Sequence, residues 1–341
     1  MVNFGIAGFG LHAVKRLMPG FAAASNCRVA ALSRRDPAKA RESADEYRIP
    51  LAFTSTEELC RSAEVDAVFV ATPNALHLSD VLTAVRHGKP VLCEKPMGIN
   101  AGECKQMVTT ARASKVLLGV AQVFRFEEST AWLRDHVAAG TLGRPVFARS
   151  EFEFLAGAQH PRTWIRDRSI AGGGPIADIG VHCIDALRFI LQDEVIRVTA
   201  SGDFNRDLGD VEESAVLLLE FSRGTLGTVM VSFRAEYRTP IELVGESGVL
   251  RSENALTVDR PVRLELCRKG LAVESATVDN WSAYARQVDA FADAVEGKAD
   301  FPARGEDGWK NQLILDAAYR SIGSGKTEEV PSISPVYCPP E

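Results

Sequence analysis

The chain has 341 residues, too many for one ordinary domain of about 150. Its apolar fraction of 46% and charged fraction of 25% exclude a disordered chain, which would be poor in apolar residues and highly charged. A formal net charge of −6 leaves no basic footprint for nucleic acid or an anionic membrane surface.

No run of about 18 apolar residues is present, and no basic segment precedes an apolar one near Met1. The expectation is a chain without a membrane span or signal peptide, working in the cytoplasm. Seven cysteines are scattered and never spaced C-x-x-C, which reads as buried thiols in a reducing compartment rather than a disulfide framework or zinc site.

In chain order, short apolar runs at 2–7, 28–32, 66–71, 90–93 and 115–119 read as strands covered on both faces. Helical periodicity separates them. Asp36 followed by Pro37 marks one helix start, and Ser55 or Thr56 another. The stretch 77–87 carries Leu78, Val81, Leu82 and Val85 on one face and stops at Gly88. This alternation predicts an α/β fold opening with a doubly wound parallel sheet over 1–123.

From about residue 124 the pattern changes. Runs at 146–154, 197–201, 213–221, 224–234 and 241–250 alternate more and are joined by turn residues, as in Ser222-Arg223-Gly224. They predict a large, mostly antiparallel sheet over 124–325, preceded by a helix over 175–191. Two helices follow, one with Tyr284, Val288, Phe291 and Val295 on a stripe, the other with Trp309, Leu313 and Ala317. The C-terminal helices could pack back on the first domain. The proline-rich tail, 326–341, reads as loosely ordered.

The first strand runs into Gly8-Phe9-Gly10-Leu11-His12-Ala13, a G-x-G-x-x-A turn. Gly8 makes the tight turn, Gly10 lets backbone approach a pyrophosphate, and Ala13 lets the helix pack close. The helix N-terminus then offers free N–H groups to phosphate. After the second strand stands Ser33-Arg34-Arg35, where an acid would bind the 2′-hydroxyl of NAD. Two guanidiniums suit the 2′-phosphate of NADP instead, with Asp36 explained as the helix cap.

Glu94-Lys95-Pro96 lies at a strand's carboxyl end, where such sheets bind ligands. A lysine there can polarise a carbonyl, although an isolated Glu-Lys could equally be a plain ion pair. Farther on, Gly172-Gly173-Gly174-Pro175 leads into Asp178 and His182, four residues apart on one helix face, with Asp185 near it. A carboxylate beside an imidazole orients it and favours its charged form. A structural Asp–His pair is the alternative. A metal site of Asp178, His182, Cys183 and His160 is disfavoured, because Cys183 adjoins His182 and faces elsewhere; no metal is expected.

Together, the glycine turn, Ala71-Thr72-Pro73-Asn74-Ala75-Leu76-His77, the segment from Gly88 to Met97 with Glu94-Lys95-Pro96, the triple glycine with Asp178 and His182, and Gly305-Glu306-Asp307-Gly308 resemble the Gfo/Idh/MocA oxidoreductases. The resemblance implies that Lys95 binds substrate and cofactor, that His182 is the acid/base, and that Asp178 supports it. It places Thr72, Pro73, Asn74 and His77 along the nicotinamide half of the cofactor. The expected cofactor contacts are therefore Gly8, Gly10, Leu11, His12, Ala13, Ser33, Arg34, Arg35, those four residues, Glu94 and Lys95. The expected substrate contacts are Lys95, Trp164, Arg166, Asp178 and His182. Many relatives have Trp-Arg where this chain has Trp164-Ile165-Arg166, so the arginine is displaced by one. Phe154, His160, Arg162, Asp185 and Arg234 are further cleft candidates.

The function so read is an NADP(H)-dependent oxidoreductase moving hydride between nicotinamide and a secondary alcohol or ketone of a sugar or polyol derivative. NAD-dependent oxidation of a polyol or trans-dihydrodiol, and a non-catalytic cofactor-binding regulator, are the alternatives. The family's open second sheet implies a homodimer or homotetramer.

Overall fold

A computed structural model describes residues 1–157, 160–205 and 207–333. Among them, one sheet is formed by β1 (Val2–Ala7), β2 (Cys27–Ser33), β3 (Leu51–Phe53), β4 (Ala67–Val70), β5 (Val91–Cys93) and β6 (Leu118–Val120). All pairs are parallel, in the order β3-β2-β1-β4-β5-β6. The order reverses beside β1, so a crevice opens outside the carboxyl ends of β1 and β4. The five predicted strands are present. The edge strand β3 was not anticipated, because three half-buried residues are too short to show a period.

Helix starts follow the local chemistry. The Asp36 carboxylate accepts from Lys39 N–H ahead of Pro37, and Ser55 Oγ accepts from Glu58 N–H. The helix after the glycine turn departs from the expectation. It opens with a π-helical turn, Ala13–Leu17, before the α-helix Met18–Ala23. Pro19 has no N–H and its ring would clash with the carbonyl four residues back, so a regular α-turn cannot run through it. Helices Ala101–Ala113 and Glu128–Ala138 were not anticipated either.

The second sheet comprises β7 (Pro145–Glu153), β8 (Val195–Phe204), β9 (Glu212–Phe221), β10 (Leu226–Ser232), β11 (Ile241–Gly245), β12 (Val249–Ser252), β13 (Pro261–Arg268), β14 (Leu271–Asp279) and β15 (Glu328–Glu329). Its order is β14-β13-β12-β11-β7-β10-β9-β8-β15, antiparallel except for the β7–β10 pair. The run 241–250 splits at Glu246-Ser247-Gly248 into β11 and β12. The β13–β14 hairpin was missed because Lys269, at φ 50° beside Gly270, is not a usual turn residue. The tail expected to be loose pairs β15 with β8; residues 334–341, with Cys338, lie outside the described residues.

Helices Val181–Leu191 and Gly305–Ser324 bury one face of this sheet. On the other face Leu226 stands opposite Phe147, and both are exposed with Val216 and Leu218. The helix Ala283–Val295 instead packs on the first sheet, with Phe291 ring-to-ring on Phe4 at 6.0 Å and Phe301 at 5.1 Å. Among the described residues no helix is long and apolar enough to cross a membrane.

Candidate active site

The glycine turn sits in the crevice that the strand order creates. Gly8 has φ 83°, and a Cβ there would approach Thr72 N to 2.7 Å, so only glycine fits between β1 and β4. A Cβ on Gly10 would meet only Gly8 O at 3.9 Å, so its bare face looks into open space. Phe9 N–H bonds to Ser33 O and ties the turn to the end of β2. Ala13 is wholly buried.

A groove of about 620 Å³ runs from this turn past Ser33, Arg34, Arg35 and Lys39, with Thr72, Pro73 and Trp164 across from them. Its bare glycine backbone and terminal cations fit a dinucleotide: the first admits a pyrophosphate, the second a phosphate on the ribose. Arg34 also donates to Ser43 Oγ at 2.7 Å, which fixes its guanidinium. The sequence reading missed Asp80, whose carboxylate accepts from Thr56 at 2.6 Å and Thr72 at 2.8 Å and holds the groove's floor.

Three expected cofactor contacts face neither the groove nor the cavity beside it: Ala13 is wholly buried where its helix packs on the strand, and two others point elsewhere. Asn74 is buried and donates to Ala171 O at 2.9 Å. The ring nitrogens of buried His77 lie 3.0 Å from Pro96 O and 2.8 Å from Thr72 O. Burial lowers its pKa, so the neutral ring donates to one carbonyl only. Both residues brace the loops that line the groove.

A second cavity, about 450 Å³, adjoins the first; Leu11, His12 and Arg162 line both. Into it face Lys95, Asp178 and His182, the last seated against Phe124 with ring centroids 4.5 Å apart. Lys95 Nζ donates to Asp178 O at 2.8 Å and stands 3.4 Å from Asp178 Oδ1. The Arg162 guanidinium grips the same carboxylate at both oxygens, 3.1 and 3.0 Å. Burial alone would raise the Asp178 pKa, but Arg162 and then Lys95 outweigh it and hold the group well below the usual carboxylate range.

His182 differs from expectation. Burial, then the Lys95 cation, push its pKa well below the usual imidazole value, and the opposing pull of Asp178 is weaker. The ring is therefore neutral. Its Nδ1 is buried without a hydrogen-bond partner among the described residues, which leaves Nε2 to serve the cavity. Asp178 makes no hydrogen bond to it because the carboxylate is spent on the two cations. Residues Ile176–Gly180 form a π-helical turn, so the regular α-helical stacking assumed for residues four apart does not apply.

Glu94 closes the junction between the spaces. Its Oε1 lies 2.8 Å from His12 Nε2, and Oε2 accepts from Lys95 N–H at 3.1 Å. Burial opposes its ionisation, but His12 and then Lys95 keep its pKa lowered.

Other expected cleft residues divide. Phe154 and His160 line the cavity, and Trp164 lines the groove. Arg166 does not reach either space: it pairs with Glu213 at 2.8 Å and donates to Ala156 O at 2.6 Å. Arg162, two residues before the tryptophan rather than two after it, stands there instead. Asp185 is buried between Arg125, at 2.7 Å, and Asn311, at 2.8 Å. Arg234 is exposed and pairs with Asp203 at 2.6 Å. Cys183 is buried beside Ser150, and neither the groove nor the cavity is lined by it. Tyr237, Tyr284 and the segment 256–259 complete the cavity, from stretches that carry no motif.

A family model described as "Oxidoreductase family, NAD-binding Rossmann fold" matches residues 2–122, and one for the GFO/IDH/MocA C-terminal domain matches 130–251. The chain is 33% identical over 291 residues to a 1,5-anhydro-D-fructose reductase of Ensifer adhaerens, covering 84% of this chain and 86% of that protein. It is 33% identical over 332 residues to D-xylose 1-dehydrogenase (NADP(+)) 2 of Haloferax volcanii, covering 96% and 99%. The crystal structure of an aldose-aldose oxidoreductase from Caulobacter crescentus, complexed with glycerol, superposes with a TM-score of 0.88 at 25% identity over 96% of this chain and 99% of that one.

Proposed function

This chain belongs to the GFO/IDH/MocA oxidoreductase family, and on that footing we propose an NADP(H)-dependent enzyme that interconverts a secondary alcohol and ketone on a sugar or polyol derivative. One observation carries the reading: Lys95, Asp178 and His182, remote in sequence, face one cavity that opens into the glycine-lined groove. Residues 1–123 would hold the dinucleotide and 124–325 the substrate and subunit contact.

A nicotinamide dinucleotide in the groove supplies or accepts the hydride. Gly8 and Gly10 leave backbone open to its pyrophosphate. Ser33, Arg34, Arg35 and Lys39 line the place for a ribose 2′-phosphate, which supports NADP over NAD. The NADP(+) in the name of the Haloferax volcanii relative points the same way.

In the cavity the Lys95 ammonium, aimed by the Asp178 carbonyl and carboxylate, stabilises negative charge on the substrate oxygen in either direction. Neutral His182 takes the hydroxyl proton at Nε2 during oxidation. In reduction the same atom must first carry a proton. Because burial lowers the His182 pKa, oxidation keeps its base below the ordinary imidazole value, while reduction draws on a minor protonated form and gains as pH falls. Asp178 stays ionised and orients the ammonium.

The exposed Phe147, Val216, Leu218 and Leu226 support contact between two copies through the second sheet. Six free, buried cysteines among the described residues suit a reducing compartment such as the cytoplasm.

The test is a titration with NADPH and NADH, followed by neutral sugars, polyols and trans-diols as substrates across pH 6–9. The expected result is tighter NADPH binding and turnover of a cyclic sugar or polyol, with oxidation sustained below pH 6.5. NADPH binding without turnover of any compound would overturn this reading in favour of a cofactor-binding regulator.

A further inference from the structure

We infer that Glu212 and Tyr319 are positioning residues for the turn that presents Asp178 and His182. What that turn does rests on the function proposed above; what holds it does not.

The helix carrying Asp178 and His182 begins at a glycine run and has no side-chain cap of its own. Its first N–H groups lack intrahelical acceptors and need partners. Glu212, wholly buried at the start of β9, supplies them from a distance. Its Oε1 accepts from Ile176 N–H at 2.9 Å and its Oε2 from Gly174 N–H at 3.2 Å. Tyr319, on the helix Gly305–Ser324, donates its hydroxyl to the same Oε1 at 2.9 Å. A carboxylate at a helix N-terminus is favoured by both the free donors and the local dipole. Burial works against its ionisation, and the N–H donors offset part of that cost.

The glycines record how close this pair comes. A Cβ on Gly173 would collide with the Tyr319 hydroxyl, and one on Gly174 with the Glu212 carbonyl oxygen. The run Gly172-Gly173-Gly174 is thus set by a packing partner on another strand and another helix. The neighbouring carboxylate, Glu213, binds Arg166 at 2.8 Å, so adjacent residues of β9 pin both ends of the segment from Arg166 to Ile176. The Arg168 guanidinium lies 4.9 Å over the Tyr319 ring and closes the arrangement from outside. Both Glu212 and Tyr319 stand behind the cavity rather than in its wall, so they act through the placement of Asp178 and His182.

The experiment compares Glu212→Gln and Tyr319→Phe with the wild-type chain. Glu212→Gln keeps the size of the side chain but turns an amide donor toward one of the two N–H groups. The expected loss is about 100-fold in kcat, the scale of a roughly 1 Å misplacement, with NADPH affinity unchanged and the pH profile of oxidation displaced. Tyr319→Phe removes one hydrogen bond and is expected to cost about 2- to 10-fold in kcat. In both variants, amide hydrogen exchange at 174–182 should quicken while the rest of the chain keeps its protection.

Wild-type kcat and unchanged exchange at 174–182 in Glu212→Gln would overturn the inference. Exchange that quickens everywhere, with a collapsed Tm, would also overturn it by showing a general structural role. If Glu212→Gln does not fold, Tyr319→Phe decides through the same two readouts. Should the wild-type chain turn over no substrate, the exchange measurement still decides this inference, and only the functional proposal falls.

Discussion

The groove along β1 and β2 and the cavity below β5 are assembled in opposite ways. One wall of the groove is made mainly of unbroken stretches, Gly8 to His12, Ser33 to Asp36 and Ala71 to Pro73, each at or just past the end of a parallel strand, with Arg162 and Trp164 across from them. The cavity instead gathers short pieces from many parts of the chain: Lys95 after β5, Phe152 on β7, Arg162 in a loop, His182 on a helix, the segment 256–259 and Tyr284 on a later helix. Parallel strands in a fixed order bring their carboxyl ends together whatever the rest of the chain does, so a local motif there is already a piece of geometry. The cavity exists only once the second sheet and its helices pack against the first.

The contrast can be broken most sharply in the cavity. Lys95→Met and His182→Asn are each expected to lower turnover by about 10²- to 10⁴-fold while leaving NADPH affinity as it was. Fluorescence titration and initial rates check this; near wild-type turnover in either variant would detach the chemistry from the cavity. A middle-sized effect is expected in the groove. Ser33→Asp combined with Arg34→Ala should reduce the preference for NADP over NAD by about 10- to 100-fold, the scale of losing charge-assisted hydrogen bonds, without changing the fate of bound substrate. Unaltered selectivity in a competition assay would remove the 2′-phosphate assignment. The smallest change is expected on the outer sheet. Leu218→Glu should shift sedimentation toward a monomer while altering the unfolding free energy of the subunit by less than about 0.5 kcal/mol. An unchanged sedimentation profile would rule that face out as the subunit contact.

Much of this was readable in the sequence where the determinant is local. Asp36 before Pro37 caps its helix as its chemistry requires, and Gly88 ends the helix His77–Arg86 with φ 66°. The alternation of strand and helix announced the parallel sheet. Signals failed where a distant partner decided. Asn74 and His77 looked like cofactor contacts but are buried against Ala171 and Pro96. Arg166 and Arg162 flank Trp164 at equal spacing, and Glu213 on another strand, with the Ala156 carbonyl, draws the first away from the cleft. Neither wide turn was expected: Pro19 accounts for the one at Ala13–Leu17, while the one at Ile176–Gly180 has no local sign.

From the amino-acid order alone one could obtain the two-sheet α/β fold, the glycine turn with its neighbouring arginines, and the identities of a lysine and a histidine suited to carbonyl chemistry. These depend on short-range periodicity, on backbone angles open only to glycine or proline, and on intrinsic side-chain chemistry. Three-dimensional packing settled the charge state of His182, the partners of Asp178 and the exchange of Arg166 for Arg162. Those outcomes are set by burial and by charges a few ångströms away, and such distances between remote residues are set by how the two sheets and their helices come together.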